Sequence, residues 1–255
     1  MAGNETRLGL VTSFLSAVRH NQNLLVLGHE LAPTKINSLA STLKKHFRPE
    51  SGLVAFSTSG SSGDPKIVIH ETRNLLLASR KIVDRHQHIR GQRFHHLFPT
   101  NYMAGLLNNI LVPSLAESSV FLDDEFNFSS PFRLHAMARK FGTTGAWLSP
   151  SMMASISSGI SSNLSEVWGF SLAATGPVSK EMRDKFQKVT GVLTLNTYGT
   201  TEQLFISTEI ESLPEITCGI PLPGVHLKQG QYPGINSLQV RSDTTAKAIL
   251  YWDNN

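Results

Sequence analysis

Nine residues from Thr58 to Lys66, Thr-Ser-Gly-Ser-Ser-Gly-Asp-Pro-Lys, constrain this chain more than any other stretch. Leu53 to Phe56 before them reads as the end of a buried strand, and Ile67 to Ile69 after them as the start of another. The nine carry four hydroxyls, two glycines and one lysine, with almost no apolar side chain to bury. Such a loop suits a polyphosphate: glycine lets the backbone approach closely, N–H groups and hydroxyls donate to phosphate oxygens, and lysine adds a mobile positive charge. It is not a Walker A loop, because Gly60 is followed by Gly63 and Lys66 enters a β-branched run instead of opening a helix. Thr58, Ser59, Gly60, Ser61, Ser62, Gly63 and Lys66 are therefore candidate phosphate ligands.

The rest of the chain supplies an alternating setting for that loop. Apolar residues recur at helical steps over Thr6–His20, Ile36–Phe47, Asn74–Gln87, Met103–Leu115, Ser129–Phe141, Ser151–Ser157 and Ser179–Val189. Between them, Leu24–Leu27, Phe94–Phe98, Val120–Leu122, Thr144–Leu148, Gly169–Ala173 and Val192–Leu195 read as strands. Alternation this regular predicts an α/β fold, a mainly parallel sheet flanked by helices. After about Glu202 the pattern changes to short apolar runs broken by Pro221, Pro223, Gly224, Gly230, Pro233 and Gly234, which predicts a β-rich segment. The expected division is a core over 1–202 and a β-rich segment over 203–255.

Composition narrows the partners. With 255 residues, 40% hydrophobic and 16% charged, the chain is an ordinary folded one, large enough for one large or two small domains. Its formal net charge of +4 comes from scattered basic residues with no basic run, so anionic small molecules are expected as partners and nucleic acid is not. The single cysteine, Cys218, excludes an internal disulfide framework and fits a reducing compartment. No segment reaches the roughly 20 apolar residues of a membrane span, and the N-terminus lacks the apolar core of a signal peptide, so the expected location is cytoplasmic.

A second informative stretch is Leu195-Asn196-Thr197-Tyr198-Gly199-Thr200-Thr201-Glu202, where a strand is expected to run out into a loop at its carboxyl end. An aromatic ring, a glycine, hydroxyls and a carboxylate together could stack a base, bond a phosphate and hold a cation. Other groupings point elsewhere. His86, His88, His95 and His96 are close in sequence, but His86 and His88 cannot share a helix face and no Cys or carboxylate completes a metal set, so surface histidines are expected. Met152 and Met153 are expected to pack a core or line an apolar pocket. Cys218 lacks the neighbouring base of a nucleophile, and no Gly-x-Ser-x-Gly pattern sits at a strand-to-helix turn.

The two stretches together resemble the AMP-forming adenylating superfamily of acyl-CoA synthetases and adenylation domains. Its signature loop is Thr-Ser-Gly-Ser/Thr-Thr-Gly-x-Pro-Lys, from which only Ser62 departs, and its second motif is Tyr-Gly-x-Thr-Glu. Three weaker likenesses accompany them. Ala173-Ala174-Thr175-Gly176-Pro177 is similar to a glycine-rich turn lining the acyl and adenine pockets, and Cys218 to Gly224 is similar to a Gly-x-Pro-x-Pro-Gly turn. Phe98 to Leu106 resembles a stretch that usually holds a histidine near the acyl carboxylate, a place taken here by Tyr102.

The resemblance implies ATP-dependent activation of a small carboxylic acid as an acyl-adenylate, followed by transfer to a thiol such as coenzyme A. It implies phosphate contacts from the signature loop and Lys66, adenine packing by Tyr198, an α-phosphate bond from Thr201 and magnesium on Glu202. Lys66, Thr201 and Glu202 would be catalytic. Thr175, Gly176, Gly199 and Thr200 would complete the nucleotide site, and Tyr102, Ala174 and Thr175 would meet the acyl substrate. The compact spacing is nearest to o-succinylbenzoate-CoA ligases. The family's ribose aspartate, hinge and C-terminal lid lysine have no counterpart before Asn255, and Leu250-Tyr251-Trp252 stands for the usual Gly-Tyr-Trp. Three readings stay open: an adenylating ligase, a nucleotide- or acyl-binding module that no longer catalyses, and a nucleic-acid binder.

Overall fold

The computed structural model describes residues 6–28, 52–58, 66–159, 163–211, 217–232 and 235–251. The signature loop between Thr58 and Lys66 and the helix expected over Ile36–Phe47 lie outside them.

The chain enters through helix α1 (Arg7–Arg19), whose N-cap Thr6 accepts the Gly9 N–H at 3.2 Å. A four-stranded sheet follows in the order β1-β2-β3-β13, built from β1 (Leu24–Val26), β2 (Leu53–Thr58), β3 (Lys66–Glu71) and, from the far end of the chain, β13 (Ala248–Tyr251). β1 pairs with β2 in parallel, while β3 runs antiparallel to both β2 and β13. The second sheet contains β4 (Arg93–His96), β5 (Ser119–Leu122), β6 (Gly145–Leu148), β7 (Phe170–Ala173), β8 (Thr194–Thr200), β9 (Leu204–Thr208) and β10 (Ile220–Pro221) in the order β10-β9-β8-β7-β6-β4-β5. Its β4 to β8 strands are parallel, and β9 and β10 are antiparallel additions at one edge.

Helices join the parallel strands, as the alternation predicts. They are α2 (Thr72–Arg85), α3 (Met103–Leu106, continuing through a π turn at Leu107–Leu111 into Val112–Leu115), α4 (Ser130–Phe141), α5 (Pro150–Gly159) and α6 (Lys180–Thr190). The fold is thus mixed α/β with a mostly parallel sheet and a β-rich C-terminal part. The hairpin of β11 (Val225–Tyr232) and β12 (Ile235–Ser242) forms a third, two-stranded sheet.

One extensive core runs along the seven-stranded sheet and holds Phe14 of α1, Leu75 and Ile82 of α2, Leu106 and Leu107 of α3, and Trp147 of β6. Each such side chain contributes about 1.5–3 kcal/mol by leaving water. Met152 and Met153 belong to this core. A smaller cluster of Leu53, Ala55, Ile67 and Ile69 covers the other face of the four-stranded sheet. Strand alternation explains the split: Ile67 and Ile69 face that cluster, so Lys66, Val68 and His70 face the opposite way.

The histidines expected at the surface are mostly inside. His86, His95 and His96 are buried, and only His88 of the four is exposed. The missing partners came from distant elements. His95 Nε2–H donates to Asp123 at 2.9 Å, and the Thr143 hydroxyl, itself bonded by Trp168 Nε1–H at 3.1 Å, lies 3.4 Å from His95 Nδ1. Arg7 reaches His96 Nδ1 at 3.3 Å, and His86 Nε2 lies 2.8 Å from the Thr208 hydroxyl. A carboxylate does meet one of them, but as a structural pair: among the described residues no group of three metal-binding side chains exists. Nor, among those residues, is any helix long and apolar enough to cross a membrane.

Candidate functional site

A cavity of about 550 Å³ opens where the carboxyl ends of β7 and β8, the first turns of α3 and the start of β3 converge. That is the ligand position of open α/β sheets, and the volume suits a nucleotide-sized molecule. Every described residue predicted for the site lines it: Thr58, Lys66, Tyr102, Ala174, Thr175, Gly176, Tyr198, Gly199, Thr200, Thr201 and Glu202. Ser59, Gly60, Ser61, Ser62 and Gly63 lie outside the described residues.

The two chief motifs meet directly. Lys66 Nζ lies 2.5 Å from a Glu202 carboxylate oxygen, each side chain about one-fifth exposed to the cavity and solvent. Burial works against the Glu202 charge, but hydrogen bonds from Lys66, the backbone and Thr200, together with the Lys66 charge, outweigh it and hold the carboxyl below its usual range. Both partners are anchored from behind. Lys66 opens β3, which is gripped on one side by β2 and on the other by β13, where Tyr251 stands opposite it. The turn carrying Glu202 is held by the Ala246 N–H on the Glu202 carbonyl at 2.7 Å and by the Gln203 N–H on the Thr200 hydroxyl at 3.1 Å.

Sequence reasoning overlooked His70. Buried on the same face of β3 as Lys66, it donates Nε2–H to the Thr201 carbonyl at 2.7 Å, so the tautomer follows from the acceptor. Burial pushes its pKa down, against the opposing pull of the Thr201 bond and the Glu202 charge, which keeps it a neutral strut. The available signal was the period-two relation to Lys66.

The Tyr198 stretch differs from expectation: β8 continues through Thr200, so Tyr198 and Gly199 lie on a strand and only Thr201 to Gln203 form the turn. A register shift between Tyr198 and Gly199 marks a bulge that re-aims the strand end. Glycine is required there, since a Cβ on Gly199 would collide with the Leu204 carbonyl. One step earlier, Asn196 donates its backbone N–H to Glu209 at 2.9 Å and its side-chain amide to the Thr217 carbonyl at 3.2 Å. Glu209, fully buried, also takes Arg183 at 3.2 Å and the Thr217 hydroxyl at 3.2 Å. This ion pair, not predicted, ties β8 to the segment bearing Thr217 and Cys218 in the cavity wall.

Two further walls complete the cavity. Thr175, in the turn after β7, adopts φ +74°, a left-handed conformation that a β-branched residue rarely takes. Tyr102 precedes α3 with 42% of its surface exposed, and partial burial pushes its phenol pKa up. The turn leading to α3 folds back so tightly that a Cβ on Gly105 would strike the Pro99 carbonyl. Cys218 is exposed at its surface, and partial desolvation of its thiol together with the Glu209 charge pushes the pKa up, the opposite of an activated nucleophile.

The donor set fits a magnesium–triphosphate group: one ammonium, one carboxylate, hydroxyls of Thr58, Thr200 and Thr201, and an aromatic ring in a single wall. A lone carboxylate suits magnesium, which keeps waters and shares phosphate oxygens instead of demanding an all-protein cage.

Known proteins resemble this chain in sequence and in fold. The family described as AMP-binding enzyme matches residues 14–230. Malonate–CoA ligase of Arabidopsis thaliana is 21% identical over 287 residues, covering 95% of this chain and 46% of that protein. A CoA ligase of Gibberella moniliformis is 30% identical over 82 residues, 32% of this chain and 14% of that protein. Among solved structures, ATP-bound MatB from Rhodopseudomonas palustris has a TM-score of 0.67 at 18% identity, covering 98% of this chain and 56% of that one. The anthranilate CoA ligase AuaEII in complex with anthranoyl-AMP has a TM-score of 0.66 at 15% identity, over 95% of this chain and 54% of that one. The chain spans about half the length of malonate–CoA ligase and of these structures. With most of its length matched, and with the two motifs meeting at one cavity on the shared fold, the chain belongs to the AMP-binding enzyme family.

Proposed function

We propose that this chain carries the nucleotide- and acyl-binding core of an AMP-forming acid–thiol ligase. The observation that carries this reading is the Lys66–Glu202 pair, 2.5 Å apart in the wall of the cavity, because it joins the two motifs whose charges suit a metal-bound triphosphate. In the first step the substrate carboxylate attacks the α-phosphorus of ATP. The bond from that phosphorus to the bridging oxygen breaks, and pyrophosphate leaves with the electron pair. In the second step a thiol, such as that of coenzyme A, attacks the acyl carbon, loses its proton to solvent and displaces AMP.

The residues contribute by position and charge, since no covalent catalysis is needed. Lys66, with Ser59 to Ser62, holds the departing phosphates. Thr201 donates to the α-phosphate, and the Tyr198 ring packs on the adenine. Glu202 would ligate magnesium, which when bound neutralises charge on the phosphates. His70 fixes the Thr201–Glu202 turn by its bond to the Thr201 carbonyl. Ala174, Thr175 and Tyr102 face the acyl side.

Carboxylate-dependent ATP–pyrophosphate exchange with magnesium, over a panel of aryl, aliphatic and amino acids, tests this directly. Exchange is expected with at least one acid, falling at least ~100-fold in Lys66→Ala and in Glu202→Ala, the scale of losing one transition-state electrostatic contact. Exchange that both variants retain, or ATP binding with no exchange for any acid, would overturn it.

A further inference from the structure

We infer that Asn108 selects the substrate of this site, and that the acid it accepts carries an uncharged hydrogen-bonding substituent on its chain. The inference rests on the adenylation reading and names the class of acid.

Asn108 lies in the π turn of α3, 3% exposed, and lines the cavity with Met103, Ala104 and Leu107 from the same helix face. Those neighbours are apolar. The adjacent Asn109, which does not line the cavity, donates its Nδ2–H to the Ala104 carbonyl at 3.0 Å across the turn and keeps its buried Oδ1 without a partner among the described residues. The Asn108 side chain makes no hydrogen bond among the described residues, and what little of it is exposed opens onto the cavity. An amide whose sole outlet is the cavity finds no partner among the described residues, and leucine of similar size would fill this apolar face without leaving donors and an acceptor to be matched. A partner that arrives with the ligand accounts for the amide. π turns are rare in helices and concentrate at functional sites, and here the turn sets a polar group into an otherwise apolar wall.

The chemistry of the partner follows from the amide. It offers two N–H donors and one carbonyl acceptor with no charge, which matches a hydroxyl, keto or amide group. It does not match a second carboxylate, which needs a cation to replace its hydration. Among the described lining residues the one cation is Lys66, and Glu202 already holds it.

The test measures binding, so that it does not depend on catalysis. Affinities of matched acids are read by calorimetry in the presence of magnesium and α,β-methylene ATP. The pairs are 3-hydroxybutyrate with butyrate, salicylate with benzoate and 4-hydroxyphenylacetate with phenylacetate, and malonate is added. At least one hydroxylated acid is expected to bind ~10- to 100-fold more tightly than its plain partner, the usual range for leaving one buried polar group unpaired. In Asn108→Leu the ratio is expected to fall to within ~3-fold, with melting temperature unchanged or raised. Asn108→Ala, which only shortens the side chain, provides the same reading should leucine overpack.

Equal affinities within every pair would overturn the assignment, as would a preference that survives both variants, tightest binding by malonate, or no binding by any acid. Acid binding with the expected ratio but no pyrophosphate exchange would overturn the adenylation reading while leaving the selectivity of Asn108 intact.

Discussion

Thr175 holds a left-handed backbone at φ +74° in the cavity wall, where glycine would rest without strain. A non-glycine residue held there costs about 1–3 kcal/mol, offset against the ~0.5–1 kcal/mol that glycine adds to the unfolded chain's freedom. Thr175→Gly is therefore expected to raise stability by about 1 kcal/mol, read as a higher urea midpoint at unchanged slope. A lower midpoint would show that the threonine side chain contributes more than its backbone conformation costs. The place of Lys66, Tyr198 and Glu202 in one cavity was legible in the sequence because short contiguous motifs carry them. His70, Glu209 and Asn108 were not, because their roles exist only across pairings made by the fold: His70 with Thr201, Glu209 with Asn196 and Thr217, Asn108 with the cavity.

Among the elements, those with strong periodicity were readable to within a residue or two. α1, α4 and α6 begin where Thr6, Ser129–Pro131 and Ser179 announce them, and Ser179 caps α6 by accepting the Met182 N–H at 3.2 Å. The end of β8 was misread because Tyr-Gly-Thr-Thr has loop composition, yet pairing with β9 extends the strand to Thr200 across the bulge. The π turn in α3 left no periodic trace, since one inserted residue barely shifts a pattern that is apolar on nearly every side. Strand order was equally unreadable. Nothing local in Ala248–Tyr251 says that it pairs with β3, although that pairing backs Lys66. The histidines show the same limit: sequence separation hid Asp123 from His95 and Thr208 from His86.

At the scale of the whole molecule, these buried groups make the fold sensitive to acid. Burial, with help from the charges of His88 and Arg85, lowers the His86 pKa to about 4, and burial with the Arg7 charge lowers that of His96 to about 3. The unfolded chain protonates both near the ordinary value of about 6.5, so it binds more protons than the folded state below that pH. Their contribution is complete above about pH 6.5 and is lost as pH falls, towards about 4 for His86 and about 3 for His96. Asp123 extends the loss. Burial opposes its ionisation, but bonds from His95, Arg133 and the Asp124 N–H prevail and hold its pKa at about 2. Its contribution is full above the ordinary carboxylate range and is lost as pH drops towards 2. The urea midpoint is expected to hold between pH 7.5 and about 6.5 and then to fall towards pH 4.5, with a shallower fall in His86→Gln; a midpoint constant down to pH 4.5 would contradict the burial of these imidazoles as titrating groups.

Equilibrium titration of ATP into the chain, with and without magnesium, tests the proposal that the cavity joined by Lys66 and Glu202 is a magnesium–ATP site. Saturable one-to-one binding that strengthens with magnesium is expected. Lys66→Ala should weaken it at least ~10-fold, and Glu202→Ala should abolish the magnesium dependence. No binding by the unaltered chain, or equal affinity in all three proteins, would contradict the account.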